Sequence, residues 1–439
     1  MMASMEREAV DRRGGIERKL VDLVDSYARR VYAAVLEQHD AESVSSPLGV
    51  WLLLAACACA AQGEDRNELE HSLGCSADEA SELLATFMAA PPNALKAAMA
   101  VWVSIADSTQ AVGEWARGLP PEVETGFIPT QDEADAWAKR TTDGLIDAFP
   151  MNIDESTRIV LTSALATKVS WSIPLDLVPA AEHLGESSPW HGHVQQLLWD
   201  DRPELLARLM HTSAAGVVAV HYAAAVEDVT VISVSAAPSF PRAAVLEATH
   251  EIVALFPGEL SAPLACSLFD LPVGPGHSWD ISEQETPTLT AGERIERIDG
   301  VSLPAWRAGS ELDLKRSDLF GSAAALNTMR QLIGPRPDDR TAAGQTAVAS
   351  FTRFGFEAAA ITFFGVACSA PALPPETGLE RTAMLRFDHP YAAVAVAGRP
   401  ANLAGDEPSE QSANSFAGLP LFTAWIAAPA EAEDEDQFD

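Results

Sequence analysis

The chain of 439 residues is long enough to bury a large core, with 47% hydrophobic and 21% charged residues. Its acids outnumber its bases 63 to 29, which gives a formal net charge of −34. Nucleic acid requires a basic surface that neutralises phosphates, and an anionic membrane surface attracts basic segments. The charge balance therefore argues against both as partners.

Cysteine use and the N-terminus favour a cytoplasmic protein. The five cysteines are an odd and low number for this length, so no disulfide framework is expected. Residues 1–20 are charged throughout and lack the apolar stretch of a secretory signal. The longest apolar run, residues 48–61, is too short to span a bilayer. A cytoplasmic location is the expectation, and secretion by another route stays open.

The first part of the chain is predicted to be helical. Apolar residues at three- and four-residue spacing predict a helix over 16–38. Ser46 and Pro47 are typical of a helix start, with serine as the cap and proline in the first turn. The body that follows, residues 48–61, is apolar on all sides, as in helices at the centre of large proteins. A third, amphipathic helix is predicted over 64–73.

Strands are predicted further along the chain. A helix over 132–149 is followed by a segment, 158–169, whose pattern fits strand and helix equally. Residues 235–295 are rich in proline and glycine and give no clear prediction, and 398–418 is typical of an exposed hairpin loop. Short apolar runs predict strands over 100–104, 217–223, 229–234, 391–397 and 421–427. Helices first and strands later indicate an α+β fold.

Several motifs occur in one order along the chain. Trp137, Thr142, Gly144 and Ile146 form a spaced tryptophan–threonine–glycine–isoleucine pattern. The other motifs are Ser46-Pro47-Leu48 with its apolar helix, 157–171 with Lys168 and Trp171, Leu303-Pro304-Ala305-Trp306, Ala347-Val348 leading to Gly355, Phe387-Asp388-His389-Pro390-Tyr391, and Leu421-Phe422 with Pro429. Together these segments resemble the serpin family of protease inhibitors, in the order in which that family has them.

The resemblance covers residues 45–429 and implies a fold that composition alone does not. It implies a single α+β domain over 16–429, with three β-sheets, about nine helices and an exposed reactive loop. The flanking segments are then an N-terminal extension, residues 1–15, and an acidic disordered tail, residues 430–439.

The resemblance also identifies a reactive loop that a protease attacks. Its hinge consists of Gly355, Phe356, Glu357, Ala358, Ala359, Ala360, Ile361 and Thr362. In a serpin the cut loop inserts into the central sheet as a new strand, with the protease attached as an acyl-enzyme. Alternate residues then face the core, a position that suits Ala358, Ala360 and Thr362, and Gly355 allows a pivot. Phe356 is larger than the residue that the family prefers, so overpacking is expected to slow insertion.

The residues expected to support opening of the sheet depart from the family pattern. Ser163 stands where the family has an asparagine, and Gln345 stands where it has a histidine. Ser46 and Trp171 complete this group. The departures change the hydrogen-bonding groups beneath the sheet and so bear on whether it opens.

The scissile bond, counted from the hinge, falls at Ser369 and Ala370. The segment 355–369 spans about 50 Å when extended, long enough to run the length of a sheet. Small residues at this point suit an elastase- or subtilisin-like protease. Because the loop continues through several prolines, bonds near Leu379 or Arg381 are alternatives, and Arg381 would suit a trypsin-like enzyme.

No cofactor and no metal are expected. His191 and His193 would need His183 or His211 to complete a metal site, and a loop with two histidines is the simpler interpretation. Cys368 is interpreted as an incidental loop cysteine and not as a redox-sensitive thiol. The sequence contains no phosphate-binding glycine loop, nucleophile elbow or zinc signature.

The sequence therefore predicts a serpin-type protease inhibitor, not an enzyme, that acts as a suicide substrate through its inserting loop. The expected partner is a serine or cysteine protease, and the expected state is a monomer. The alternative is a non-inhibitory serpin-fold binding or scaffold protein, which Phe354, Phe356, Ser163 and Gln345 favour. If Phe356 blocks insertion, replacing it with threonine would create inhibition that the parent lacks.

Overall fold

The computed structural model describes residues 2–39, 41–201, 207–256, 264–288, 290–356, 376–400 and 416–432. The α-helices in these ranges are α1 (Met2–Leu36), α2 (Pro47–Ala58), α3 (Gly63–Leu73), α4 (Ala77–Ala89), α5 (Gln110–Gly118), α6 (Gln131–Thr141), α7 (Ala180–His183), α8 (Arg242–Val253) and α9 (Ser322–Ile333). The predicted number of helices is confirmed for the described part of the chain.

Strands make up the rest of the regular structure. Their bounds are β1 (Ser43–Ser45), β2 (Leu95–Val103), β3 (Glu124–Phe127), β4 (Ile159–Thr167), β5 (Val169–Ser170), β6 (Asp176–Pro179), β7 (Gln196–Asp200), β8 (Ala207–Thr212), β9 (Gly216–Ala224), β10 (Val229–Ser235), β11 (Gly274–Pro275), β12 (Trp279–Thr288), β13 (Arg294–Leu303), β14 (Trp306–Asp313), β15 (Gly344–Phe351), β16 (Gly355–Phe356), β17 (Glu376–Arg386), β18 (Tyr391–Ala397) and β19 (Pro420–Ile426). The ambiguous segment 158–169 is thus strand, and 235–295 contains α8, β11 and β12.

Two of the sheets are six-stranded. The first has the order β1-β19-β18-β10-β9-β8, and the second has the order β11-β12-β17-β13-β7-β6. The first is buried on both faces, because its strands β9, β10, β18 and β19 are almost wholly inaccessible. The sequence of a strand that is buried on both faces is a continuous apolar run, which is why the sequence predicted these four strands.

The central sheet is divided into two halves. One half is β3-β2-β4 and the other is β14-β15, and no ladder among the described residues joins β4 to β15. Only Lys168 separates β4 from β5, and β5 pairs with the short strand β16, which follows β15. The described residues thus form five sheets where the resemblance implied three. Two of them, β3-β2-β4 and β14-β15, face each other as the halves of one split sheet would.

Helix α2 lies behind this split and confirms the predicted central helix. The Ser46 hydroxyl caps it by accepting from the Gly49 N–H at 3.3 Å, and Pro47 occupies the first turn. Leu53 is the only residue of α2 that is not fully buried. The helix is shorter than predicted, because it ends at Ala58 and α3 begins at Gly63.

Helix α6 is also shorter than the predicted helix over 132–149. It ends at Thr141, because Asp143 and Gly144 follow in the left-handed region with φ of 52° and 78°. Thr142 fixes this turn, since its hydroxyl donates to the Ala138 carbonyl at 2.8 Å and accepts from the Ile146 N–H at 3.0 Å. The threonine–glycine–isoleucine spacing of the sequence is therefore the signature of a helix end.

Regular structure or contacts extend past both predicted bounds of the domain. Helix α1 runs without interruption across residue 16, where the domain was expected to begin. At the other end, Ala430 forms a bridge to Ala305, and the Glu431 carboxylate accepts from the backbone N–H groups of Gln195 and Gln196. The prediction of a disordered tail from residue 430 is wrong for residues 430–432, because these contacts hold them. Residues 433–439 lie outside the described ranges.

No helix in the part of the chain that the structure describes is both long enough and apolar enough to cross a membrane.

A buried ion network joins the two halves of the central sheet at the start of β4. The Arg158 guanidinium lies 2.6 Å from Asp107 Oδ1 and 2.6 Å from Asp339 Oδ1, and it also donates to the Ile333 and Gly334 carbonyls. Side-chain exposure is 12% for Arg158, 4% for Asp107 and 5% for Asp339. The hydrogen bond from Arg158 holds the pKa of Asp107 below its usual value.

We predict that Arg158→Met lowers the free energy of unfolding by about 2 kcal/mol, because it removes the most buried cation from two buried carboxylates and leaves Asp107 with Arg336 alone and Asp339 with Arg330 at 3.7 Å. Urea unfolding at pH 7 measures the change. The control is Arg140→Met, which removes an exposed pair with Glu124 at 3.8 Å and is expected to cost no more than about 0.5 kcal/mol. Equal losses in the two variants would contradict the importance of the network.

The same network predicts a pH dependence. Because the pKa of Asp107 is lowered on folding, its contribution is complete above its unfolded pKa of about 4 and is lost as the pH falls through the folded value. Unfolding midpoints measured between pH 6 and pH 3 should therefore fall more steeply for the parent than for Arg158→Met. Parallel curves would contradict this assignment.

Candidate functional site

The candidate site is the space between β4 and β15, here called the central gap. Its walls are the facing edges of the two strands, and the cavity between them has a volume of about 550 Å³. Helix α2 closes one side, and the last residues of α6 with the turn after it line the other. A strand edge presents unpaired N–H and C=O groups and readily accepts another strand. The central gap has such an edge on each side.

Gln345 holds one wall of the central gap to the start of α2. Its side-chain nitrogen donates to the Ser46 carbonyl at 2.8 Å, and its side-chain oxygen accepts from the Ser46 N–H at 2.8 Å. The side chain thus pairs with a backbone group as another strand would. The Ser46 hydroxyl donates to the Leu421 carbonyl at 2.7 Å, which ties the same point to β19.

Ser163 holds the opposite wall to the same helix. Its hydroxyl donates to the Gly49 carbonyl at 3.1 Å. A side chain at Gly49 would meet both walls, because an added Cβ would lie 3.5 Å from Ser163 Oγ and 3.5 Å from Gln345 Nε2. The structure therefore brings together Ser46, Ser163 and Gln345, which were selected from the sequence, and adds Gly49 as the residue between them.

Trp171, the fourth predicted support residue, lies at the other end of the central gap, where the chain leaves β15 and reverses. Its backbone N–H donates to the Phe354 carbonyl at 2.9 Å, and its indole N–H donates to the Thr352 carbonyl at 2.9 Å. Thr352 closes the reversal, because its N–H and its hydroxyl each donate to the Gly355 carbonyl at 3.0 Å. Trp171 thus anchors the turn that leads into the predicted hinge.

The chain after this turn enters the central gap. Gly355 and Phe356 form β16 and pair antiparallel with Ser170 and Val169. Gly355 is extended here, so in this state it does not use the backbone freedom that the sequence suggested for it. The first two residues of the predicted hinge are therefore already paired with β5, the continuation of β4.

Phe356 is part of a cluster of four aromatic residues, called the aromatic cluster: Trp171, Trp306, Phe351 and Phe356. The Phe356 ring is 6% exposed and meets Trp306 edge-on, with centroids 6.4 Å apart. Trp306 stacks on Phe351 at 6.1 Å, and Phe351 contacts Trp171 at 4.8 Å. Such pairs add to the stabilisation that comes from burial. The neighbouring strands thus provide an aromatic site for the Phe356 ring, whereas the expected overpacking concerns the inserted strand.

Sequence reasoning missed several members of this site. Trp306 was noted only as part of a strand motif, and Phe351 and Thr352 were not selected. An aromatic residue shortly after Leu303-Pro304 and another just before the hinge were the available signals. They become informative only when β14, β15 and β5 are placed side by side.

The remaining loop residues that were predicted to matter lie outside the described ranges. They are Glu357, Ala358, Ala359, Ala360, Ile361, Thr362, Cys368, Ser369 and Ala370.

The two alternative cleavage positions lie within β17, which pairs with β12 on one side and β13 on the other. The Leu379 N–H donates to the Glu293 carbonyl at 2.9 Å. The Arg381 guanidinium bonds to Glu283 at 2.8 Å and to the carbonyl of Leu268 at 2.7 Å. A protease binds an extended segment with free backbone groups, so this pairing favours the first candidate bond over these two.

The histidines considered as metal ligands do not form a cluster. His183 packs against Trp199, with ring centroids 5.0 Å apart, and burial lowers its pKa. Within the described ranges, no group of three or more histidine, cysteine or acidic side chains is arranged to hold a metal ion.

Comparison with known proteins points to one family. The family model described as serpin (serine protease inhibitor) matches residues 22–178. No curated protein matches the chain in sequence. Among solved structures, the thermophilic serpin tengpin in its native state is similar, with a TM-score of 0.60 and 13% identity over 94% of each chain.

Two further structures are similar to the same extent. Serpin48 of the insect Tenebrio molitor has a TM-score of 0.56 and 16% identity, over 93% of this chain and 98% of that one. Human thyroxine-binding globulin complexed with its hormone has a TM-score of 0.59 and 13% identity, over 95% of this chain and 100% of that one. At such low identity the likeness establishes the fold and not the activity.

We predict that Gln345→Leu lowers the free energy of unfolding by about 2 kcal/mol, because it leaves the buried Ser46 N–H without a partner and the Ser46 C=O with only the Val50 N–H at 3.5 Å. Urea unfolding measures the loss. The matched control is Gln331→Leu on the exposed side of α9, which is expected to change stability by no more than about 0.5 kcal/mol. A Gln345→Leu protein as stable as the control would show that the pairing with Ser46 is dispensable.

Proposed function

This chain belongs to the serpin family, and we propose that it inhibits a serine protease by acting as a suicide substrate. The protease would attack the loop after β16 and form an acyl-enzyme. The cut loop would then insert into the central gap as a new strand and carry the attached protease with it. In this role the chain has no catalytic turnover of its own.

One observation carries the proposal, namely that the central gap is open and the chain has already started into it. Strand edges β4 and β15 face a cavity of about 550 Å³, and β16 occupies its end. A strand inserted there would satisfy backbone groups on both edges, which is favourable because unpaired backbone groups are costly when buried. Insertion would thus extend a pairing that exists before cleavage.

The register of β16 determines what insertion would place in the sheet. Gly355 lies opposite Ser170 and Phe356 opposite Val169. Continued along β4, this register would set Ala358 opposite Thr167, Ala360 opposite Leu165 and Thr362 opposite Ser163. Directly opposite residues share one face of an antiparallel pair. Ser163 faces α2, so these small residues would face α2 as well.

The same register supports cleavage at the first candidate bond. Val366 would lie opposite Ile159, the first residue of β4. Ser369 and Ala370 would then lie just beyond the end of the sheet, so nearly the whole inserted strand would be paired before the attached protease meets the body of the domain. The small residues at this bond suit an elastase- or subtilisin-like protease.

A non-inhibitory binding or scaffold protein with the serpin fold is the second candidate. The observation that favours it is the burial of Phe356 in the aromatic cluster together with the two bonds of Gln345 to Ser46. If these contacts hold the two halves of the sheet in place permanently, a cut loop stays outside.

Incubation with an elastase-like protease separates the two candidates. Inhibition predicts a covalent complex that survives SDS electrophoresis and a cleaved protein that melts at a markedly higher temperature than the intact one. Mass spectrometry of the released C-terminal fragment locates the cleaved bond. Cleavage at Ser369–Ala370 with neither a complex nor a gain in melting temperature would overturn the inhibitory proposal and support the second candidate.

We predict that Thr362→Arg abolishes the SDS-stable complex and converts the protein into an ordinary substrate. A charged side chain opposite Ser163 would be buried against α2 without a partner, which is costly. Gel densitometry of complex against cleaved protein measures the conversion. Pro374→Arg is the matched control: it adds the same charge beyond the cleaved bond and should leave the complex unchanged. Retention of the complex in Thr362→Arg would contradict the proposed register.

A further inference from the structure

The aromatic cluster occupies the end of the central gap at which insertion would begin. Phe356 is the only one of its four members that lies in the hinge, and the other three lie on β14, on β15 and directly after β5. The Phe356 ring contacts Trp306 on one half of the split sheet, and Phe351 links the same cluster to Trp171 on the other half. Its backbone pairs with Val169 at the same time.

We propose that the aromatic cluster is the nucleus of loop insertion, in which Phe356 is a positioning residue that fixes the register and sets the rate of insertion after cleavage. The inference rests on the proposed inhibitory function and adds to it a specific residue and a direction of effect. Phe356 speeds insertion, whereas its size alone led to the expectation that it slows insertion.

The burial of Phe356 fixes the register of the inserting strand. A shift of one residue in a strand turns every side chain to the opposite face. With Phe356 held opposite Val169, the alanines at 358 and 360 can reach only the face that suits them. An alanine or threonine at 356 would contact Trp306 less, so the register would be chosen only after cleavage, in competition with release of the protease.

Backbone pairs that form before cleavage raise the rate of insertion. When two strands pair, the entropy of bringing them together is lost before the later contacts compensate for it. Here the reversal at Thr352 and the pairs Gly355–Ser170 and Phe356–Val169 are formed in the uncut protein. The remaining residues need only extend an existing ladder.

Phe354 provides an internal comparison. It lies two residues before Phe356, on the reversal itself, and its ring is covered by the Arg353 guanidinium at 5.2 Å and not by the aromatic cluster. Arg353 in turn donates to the Leu175 carbonyl at 3.0 Å. Replacing Phe354 therefore removes an aromatic residue from the same turn without touching the nucleus.

Hydrogen exchange on the intact full-length protein tests the nucleus without a protease. Phe356→Ala should raise amide exchange in segments 169–171 and 352–356 by at least about tenfold, because a buried aromatic ring contributes enough to shift local opening by that factor. Phe354→Ala should leave both segments close to the parent, and Phe356→Leu should restore most of the protection. Equal exchange in Phe356→Ala and Phe354→Ala would overturn the proposal.

Complex formation with the elastase-like protease tests the direction of the effect. Phe356→Ala should lower the ratio of SDS-stable complex to free cleaved protein by about tenfold, while the urea midpoint of the uncut protein stays near that of Phe354→Ala. Phe356→Leu should recover the ratio. A merely structural role would change the urea midpoint and leave the ratio alone. A ratio in Phe356→Ala equal to or above that of the parent would overturn the proposal.

The two proposals fail in different ways. A parent protein that forms no complex and gains no stability on cleavage overturns the inhibitory function, and the role of Phe356 in insertion with it. A parent that forms the complex, together with a Phe356→Ala variant that forms it equally well, overturns the nucleus alone.

Discussion

Two strand edges that face each other without pairing are the constraint on which the rest of this structure depends. Among the residues that the structure describes, the backbone N–H and C=O groups on the facing edges of β4 and β15 have no ladder partner, although most buried groups of this kind in proteins are satisfied. The surrounding residues hold the edges at this separation. Arg158 joins the two edges at one end of the central gap, and Phe356 joins them at the other end. Between these ends, Gln345 and Ser163 fasten the edges to α2.

These contacts differ in their position relative to a strand that inserts into the central gap. The pairing of Gln345 with Ser46 and the bond of Ser163 to Gly49 lie on the α2 side of the sheet. A strand could therefore enter the central gap without breaking either of them. The ion network of Arg158 lies where the inserted strand would end. The aromatic cluster lies where it would begin. We therefore expect mutations at the cluster to act on the rate of insertion and mutations at Arg158 and Gln345 to act on stability.

The sequence predicted the elements whose cause is local. Apolar runs predicted β9, β10, β18 and β19, and Ser46 with Pro47 predicted the start of α2. The length of α6 was predicted wrongly although its signal is local, because the turn at Thr142 and Gly144 ends the helix at Thr141. The tail was predicted wrongly where tertiary contacts decide, because residues 430–432 are held by Ala305 and by the backbone at Gln195 and Gln196. Of the site, Ser46, Ser163, Gln345 and Trp171 were selected from motif positions, whereas Trp306 and Phe351 were not.

The sequence by itself determined the family resemblance and the α+β class and led us to predict a hinge from Gly355 onward, because each rests on residue identity and order along the chain. It also showed that Phe356 is larger than the residue expected at that position, but it did not show which residues contact the Phe356 ring. Only the tertiary structure decided that the central sheet is split, that β16 is paired with β5, and that Trp306 lies beside Phe356. These features depend on strands from distant parts of the chain, and no local pattern encodes how such strands meet.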